Sequence, residues 1–163
     1  MRIIPIWRRP TPFCHNQGWS GQAGGKVDLK EFNESIIKEF RENNGVVGGD
    51  FEGAPMLILT TTGAKTGLTR ENPLVFTRDG DRYIIIASYA GAPNNPPWYY
   101  NLVANPEVGV EIGSERFTAR AEVLGEPERS QRYERMAELM PAFHDYAKST
   151  SRKIPVIALT RMD

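Results

Sequence analysis

The chain has 163 residues, 20 Lys plus Arg against 20 Asp plus Glu, and one cysteine. That length carries one domain with one real core, and the balanced charge excludes a whole-molecule field for nucleic acid or an anionic membrane. The single Cys14 excludes an internal disulfide, and no apolar run reaches the roughly 18–20 residues that cross a bilayer.

Residues 1–26 have no hydrophobic period and are rich in proline and glycine, so a flexible arm is expected, with the domain proper over 27–163. The apolar stretch near Met1 is too short and too broken for a signal peptide, so the expected location is the cytoplasm. Val27 precedes the first periodic segment, and valine codons serve as bacterial starts. The arm is therefore read either as an over-long gene start or as an extension. Asp28 with Glu31 fits a capping box. Phe32, Ile36, Ile37 and Phe40 then share one helical face, and Asn43, Asn44 and Gly45 end it.

Strands are expected over 55–62, 68–78 and 81–88, the last two joined at Asp79-Gly80, a strong hairpin signal. A short helix led by proline follows over 95–105. Residues 106–113 and 115–124 form a second hairpin, whose last strand alternates Phe117, Ala119, Ala121 and Val123 with Thr118, Arg120 and Glu122. Helices over 127–140 and after Pro141 precede a final strand at 154–161. Two tight hairpins argue for an antiparallel sheet, and about six such strands with flanking helices predict an α+β, mainly β fold, a small closed barrel.

Two stretches carry chemistry. "TTTGAKTGLTRENP" (60–73) puts glycines, threonines, Lys65 and Arg70 between strands: glycines let backbone N–H groups approach a ligand, hydroxyls donate, and the cations supply charge for an anion. A plain glycine turn explains the same composition equally well. "ASYAGAPNNPPWYYNLVANP" (87–106) has small residues, then Trp98, Tyr99 and Tyr100: either core aromatics or a flat slot for a planar ring. Ser35–Lys38 and Lys65–Gly67 match the S-x-x-K and K-T-G marks of penicillin-recognising enzymes, but they stand too close together and lack S-D-N, so Ser35 reads as a solvent-facing helix residue. Two histidines and no carboxylate cluster of ligand spacing give no metal site.

The segments "LILTTTGAKTGLTRENPLVFTRDGDRYIIIAS", "GAPNNPPWYYNLVANPEVGVEIG" and "IPVIAL", in that order and spacing, resemble the deazaflavin-dependent nitroreductase family of actinobacteria over about residues 32–161. The resemblance implies a split β-barrel like those of flavin reductases and pyridoxamine-phosphate oxidases. It also implies a coenzyme F420 site and hydride transfer from the reduced cofactor to a quinone, activated alkene or nitro compound. It assigns cofactor contacts to Lys65, Thr66 and Arg70, with the adjoining Ala64, for the anionic tail, and to Glu71 and Asn72 towards the ring. Ile86, Ala87, Ser88 and Tyr89 form a second segment, and Pro97, Trp98, Tyr99, Tyr100 and Asn101 a third; Phe143 adds to the pocket. Ser88 and Tyr146 are the expected catalytic donors to the acceptor oxygen. Ala64 stands where the family often has a second basic residue, Tyr89 where it often has lysine, and Met140 and Phe143 where the best-known nitro-activating member has tyrosines.

Met140, Phe143 and the first helix are expected either to line an apolar entrance suited to a membrane quinone, giving peripheral membrane contact, or simply to be core. The partner is then a small hydride acceptor and not nucleic acid, and a homodimer fits the barrel type. FMN in place of F420, or a non-enzymatic cofactor carrier, are the rival readings.

Overall fold

The computed structural model describes residues 29–48 and 53–162. The expected arm and the Asp28 half of the capping box lie outside the described residues.

Helix α1 runs Leu29–Glu42 and buries Ile36, Ile37 and Phe40, with Phe32 half-buried, as its period requires. Asn44 takes a left-handed φ of 53°, and the Gly45 N–H donates to the Phe40 carbonyl at 2.7 Å, which ends the helix in a Schellman-type stop.

The strands are β1 Met56–Thr62, β2 Thr69–Val75, β3 Thr77–Asp79, β4 Arg82–Ile86, β5 Glu107–Ile112, β6 Glu115–Val123 and β7 Val156–Met162. All pair antiparallel, in the order β2-β1-β5-β6-β7-β4-β3. Helix α2, Pro97–Ala104, links β4 to β5, and α3 (Glu128–Leu139) and α4 (Ala142–Ser149) link β6 to β7.

The expected run 68–78 is two strands, not one. Phe76 N–H still donates to the Pro55 carbonyl at 3.1 Å, continuing the β1–β2 register by one bond, and from Thr77 the chain pairs with β4 instead. This break shapes the molecule. β2 and β3 are the two opposite edges of the sheet, yet only Phe76 separates them in the chain. The sheet must therefore roll until its edges approach each other. The result is a split barrel whose hydrogen-bond ladder does not close, where full closure was expected. The open edges are protected by Pro73 on β2, by α1 packed across β2, and by the shortness of β3.

Both hairpins form. Asp79 pairs with Arg82, so the first turn is Gly80-Asp81, one residue later than its sequence signal; the second is Gly113-Ser114. Gly45 (φ 95°) presses on that second turn so closely that a Cβ there would lie 2.6 Å from the Gly113 Cα. The end of α1 is thereby fixed against the barrel.

Alternate residues face opposite ways. Leu57, Leu59, Ile85, Val110, Ala119 and Leu159 fill the interior, into which α2 inserts Trp98 and Leu102. Met56 and Ile58 face out under α1, and Ile84, Ile86, Val156 and Ala158 face out under α3 and α4. Because both faces are covered there, the first four residues of β1, Met56–Leu59, are all apolar and buried. Among the described residues no helix is long and apolar enough to cross a membrane.

Candidate functional site

A cleft of about 970 Å³ opens between α1, the β1–β2 turn, the first half of β2, and α2. The turn contributes Ala64, Lys65 and Thr66, and β2 contributes Arg70, Glu71 and Asn72. From α2 come Pro97, Trp98, Tyr100 and Asn101. These residues, predicted in separate stretches of sequence, are brought together.

The turn is an α-turn closed by Gly67 N–H to the Gly63 carbonyl (2.9 Å) and Gly63 N–H to the Leu68 carbonyl (2.7 Å). Gly63 is required: a Cβ there would stand 2.7 Å from the Thr66 hydroxyl oxygen. The Leu68 N–H donates to that same hydroxyl oxygen at 3.2 Å. Asn101, buried on α2, ties the turn down: its side-chain carbonyl accepts from Ala64 N–H (2.9 Å) and its amide donates to the Thr61 hydroxyl (3.2 Å). Among the described residues, the Lys65 and Thr66 N–H groups have no protein acceptor, and Lys65 and Arg70 have no ion-pair partner. Two exposed cations and two free donors at one mouth form an anion cradle. Asn101 thus acts on the cradle by holding its backbone.

Glu71 faces the same cleft, but the Arg41 guanidinium of α1 bonds it and forks onto Glu111 at 2.7 and 3.1 Å. Those hydrogen bonds hold the Glu111 carboxyl below the usual carboxylate range against the opposing effect of burial, and raise Arg41 further. The cradle therefore keeps a net positive character although a carboxylate lies within it. Trp98 is only 5 % exposed and serves both the core and the cleft wall, whereas Tyr100 is 51 % exposed. The core reading of the aromatic stretch thus holds for Trp98, while Tyr100 stands at the cleft's surface.

The remaining predicted residues do not line this cleft. Ile86, Phe143 and Tyr146 lie in the cluster under α3 and α4, with Phe143 and Tyr146 edge-on at 5.2 Å. Ala87 lies in the interior cluster and Tyr99 packs against it. Ser88, buried, and Tyr89, exposed, begin the loop from β4 to α2. Met140, Ile36 and Phe40 are likewise core, so the core reading of those side chains stands and the entrance reading is corrected. From α1 it is Lys30, Asn33, Glu34 and Ile37 that reach the cleft. Ile37 belongs to the apolar face read from the sequence, but Lys30, Asn33 and Glu34 were missed because a polar shoulder beside an apolar stripe looks the same on any surface helix. Ser35 is exposed and donates to the Phe32 carbonyl at 2.7 Å, as a solvent-facing helix residue would.

A split barrel with two exposed cations beside an aromatic wall has room for a planar ligand with an anionic tail. The family model described as F420H(2)-dependent quinone reductase matches residues 34–161, and the chain belongs to that family. It is 42% identical over 139 residues to an F420H(2)-dependent quinone reductase of Mycobacterium tuberculosis (strain H37Rv), covering 83% of this chain and 91% of the relative. Among solved structures it is similar to an F420-H2 dependent reductase, FDR-A, at 36% identity and TM-score 0.60, over 64% of this chain and 93% of that one. It is also similar to a chain described as a domain-swapped dimer, at 34% identity and TM-score 0.61, over 80% and 96%. The protein is an F420-binding oxidoreductase of this family.

Proposed function

We propose that the cleft holds the polyanionic tail of F420 on Lys65, Thr66 and Arg70 and its planar ring against Pro97, Trp98 and Tyr100, with Asn72 on the same β2 wall. The acceptor is an electron-poor small molecule of the quinone class. The observation that carries this reading is the pair of unpartnered cations, Lys65 and Arg70, with two free backbone donors at the mouth of a cleft walled by aromatics. A planar redox ring with a phosphate and carboxylates needs both parts, so the residues present fit the group.

When bound, the reduced deazaflavin supplies the hydride. The chain's own residues do the rest. Trp98, fixed in the core, offers a rigid apolar wall that excludes water from one side of the ring position. Arg41 screens Glu71, the carboxylate on β2 beside Arg70. As charge develops on the acceptor oxygen, a hydroxyl must donate to it. We assign this to Ser88, which stands outside the cleft lining but on the loop that leads into α2 and whose hydroxyl has no protein partner among the described residues, rather than to Tyr146, which α4 packs into the core.

Fluorescence titration of the purified protein with F420 and with FMN tests the cofactor, and consumption of F420H2 with menadione tests the reaction. Saturable F420 binding and turnover are expected. FMN binding in its place, or no turnover, would contradict the reading. We further propose a homodimer in the cytoplasm, measurable by light scattering. Its lipid contact would be made by exposed Leu68 and Tyr100 and would be lost from vesicle co-sedimentation on Leu68→Ser.

A further inference from the structure

Arg152 lies between α4 and β7, far in sequence from every cleft residue, yet its whole guanidinium is committed to one loop. Its Nε donates to the Ala92 carbonyl at 3.0 Å and its Nη1 to the Asn95 side-chain oxygen at 2.5 Å. Its Nη2 donates to the Ser88 carbonyl at 2.8 Å and the Ala87 carbonyl at 3.2 Å. All four acceptors are uncharged and all belong to the segment joining β4 to α2. A guanidinium drawn out of water ordinarily takes a carboxylate partner. Arg152 has none among the described residues, and its burial disfavours the charge.

The loop it grips is strained. Tyr89 has a φ of 49°, a left-handed backbone that is rare for a bulky side chain and costs free energy unless its surroundings enforce it. The local 3₁₀ bonds, Gly91 N–H to the Ser88 carbonyl and Ala92 N–H to the Tyr89 carbonyl, close only a single turn. The carbonyls on either side of Tyr89, at Ser88 and Ala92, are both Arg152 acceptors. The loop then runs into Pro96 and Pro97, the start of α2, so its shape decides where Trp98, Tyr100 and Asn101 enter the cleft.

We propose that Arg152 is a positioning residue: its fork holds the Ala87–Asn95 loop in the strained form that presents Ser88 and aims α2 at the cofactor cleft. This rests on the reading of the cleft as the F420 site.

The test uses the full-length protein without cofactor, followed by hydrogen exchange of peptides across 87–95, across the 63–67 turn and across β1 and β7. Arg152→Lys keeps the charge and loses the fork. Exchange in 87–95 should rise about tenfold while β1 and β7 stay protected, and F420 should bind about tenfold more weakly. Tyr89→Gly removes the left-handed penalty, so in the Arg152→Lys background it should restore part of both losses. Unchanged exchange in 87–95, or a Lys variant whose loop and F420 affinity match wild type, would overturn the proposal. If Arg152→Lys does not fold, Asn95→Ala, which removes one arm of the fork, is read instead: a local rise in exchange confined to the loop supports the pin, and no rise overturns it. Failure of the wild type to bind F420 would count against the cofactor reading alone, since exchange in the unliganded protein decides the pin by itself.

Discussion

Lys65 and Arg70 remain unpaired in a protein where Arg41, Arg82, Arg129 and Arg161 all find carboxylates. Their company explains how so small a cradle can serve an anion. Glu71 sits within it and would repel the ligand if Arg41 did not neutralise it. Arg41→Met should therefore weaken F420 binding, because a bare carboxylate a few ångströms from an anion costs about 1 kcal/mol even when fully water-screened, at least a few-fold in affinity. Adding Glu71→Gln in that background should recover the part of the loss due to the bare carboxylate, though not the part due to α1 losing its tie to Glu111; a titration in which the double variant binds no better than Arg41→Met would contradict this account. Asn101 holds the cradle from behind. Asn101→Leu leaves the Ala64 N–H and the Thr61 hydroxyl without partners, and should cost about 1–3 kcal/mol in a denaturant melt as well as loosening the turn.

At the scale of elements, α1 is a wall of the cleft as well as a cover for β1. It docks through Ile36, Ile37 and Phe40 and through the Arg41–Glu111 fork. The Glu111 carboxyl is depressed in the folded state, so its stabilisation is present above the ordinary carboxylate pKa and is lost as pH falls through the lowered one. Below about pH 4, α1 should loosen and F420 affinity fall before the sheet melts. Glu111→Gln should remove that step from a pH titration followed by circular dichroism and cofactor fluorescence. The amphipathic stripe of α1 and its Asn-Gly stop were legible in the sequence because they depend on local spacing and backbone chemistry. The break at Phe76 was not. Both halves of 68–78 have strand composition, and the break is a change of partner, from β1 before Phe76 to β4 after it, which no residue within the run announces. Arg152 was equally hidden: an arginine in a polar loop looks solvated until the fold brings Ala87, Ser88, Ala92 and Asn95 around it. The β1–β2 turn with its cations and the Pro-Trp segment with its aromatics were legible as separate stretches, but only the rolled sheet and Asn101 bring them to one cleft.

At the scale of the whole molecule, the split in the barrel positions the site. Because β2 is an edge strand, its Arg70–Asn72 stretch is free on one side to face a ligand, and α1 and α2 complete the walls around it. A ligand that bridges turn, strand and both helices should stabilise the fold by mass action. At a hundredfold excess over its dissociation constant, F420 should add about 2.7 kcal/mol, a rise in Tm on the order of 5–10 °C for a domain of this size. FMN at the same concentration should give no such rise in a thermal scan.

The most direct measurement is the F420 affinity of Lys65→Ala/Arg70→Ala beside wild type at fixed salt, read by cofactor fluorescence. Two charge-assisted contacts, each worth roughly 1.5–3 kcal/mol, predict a loss of about a hundredfold or more with the melting curve unchanged. An affinity equal to that of wild type would contradict the placement of the cofactor's anionic tail in this cleft.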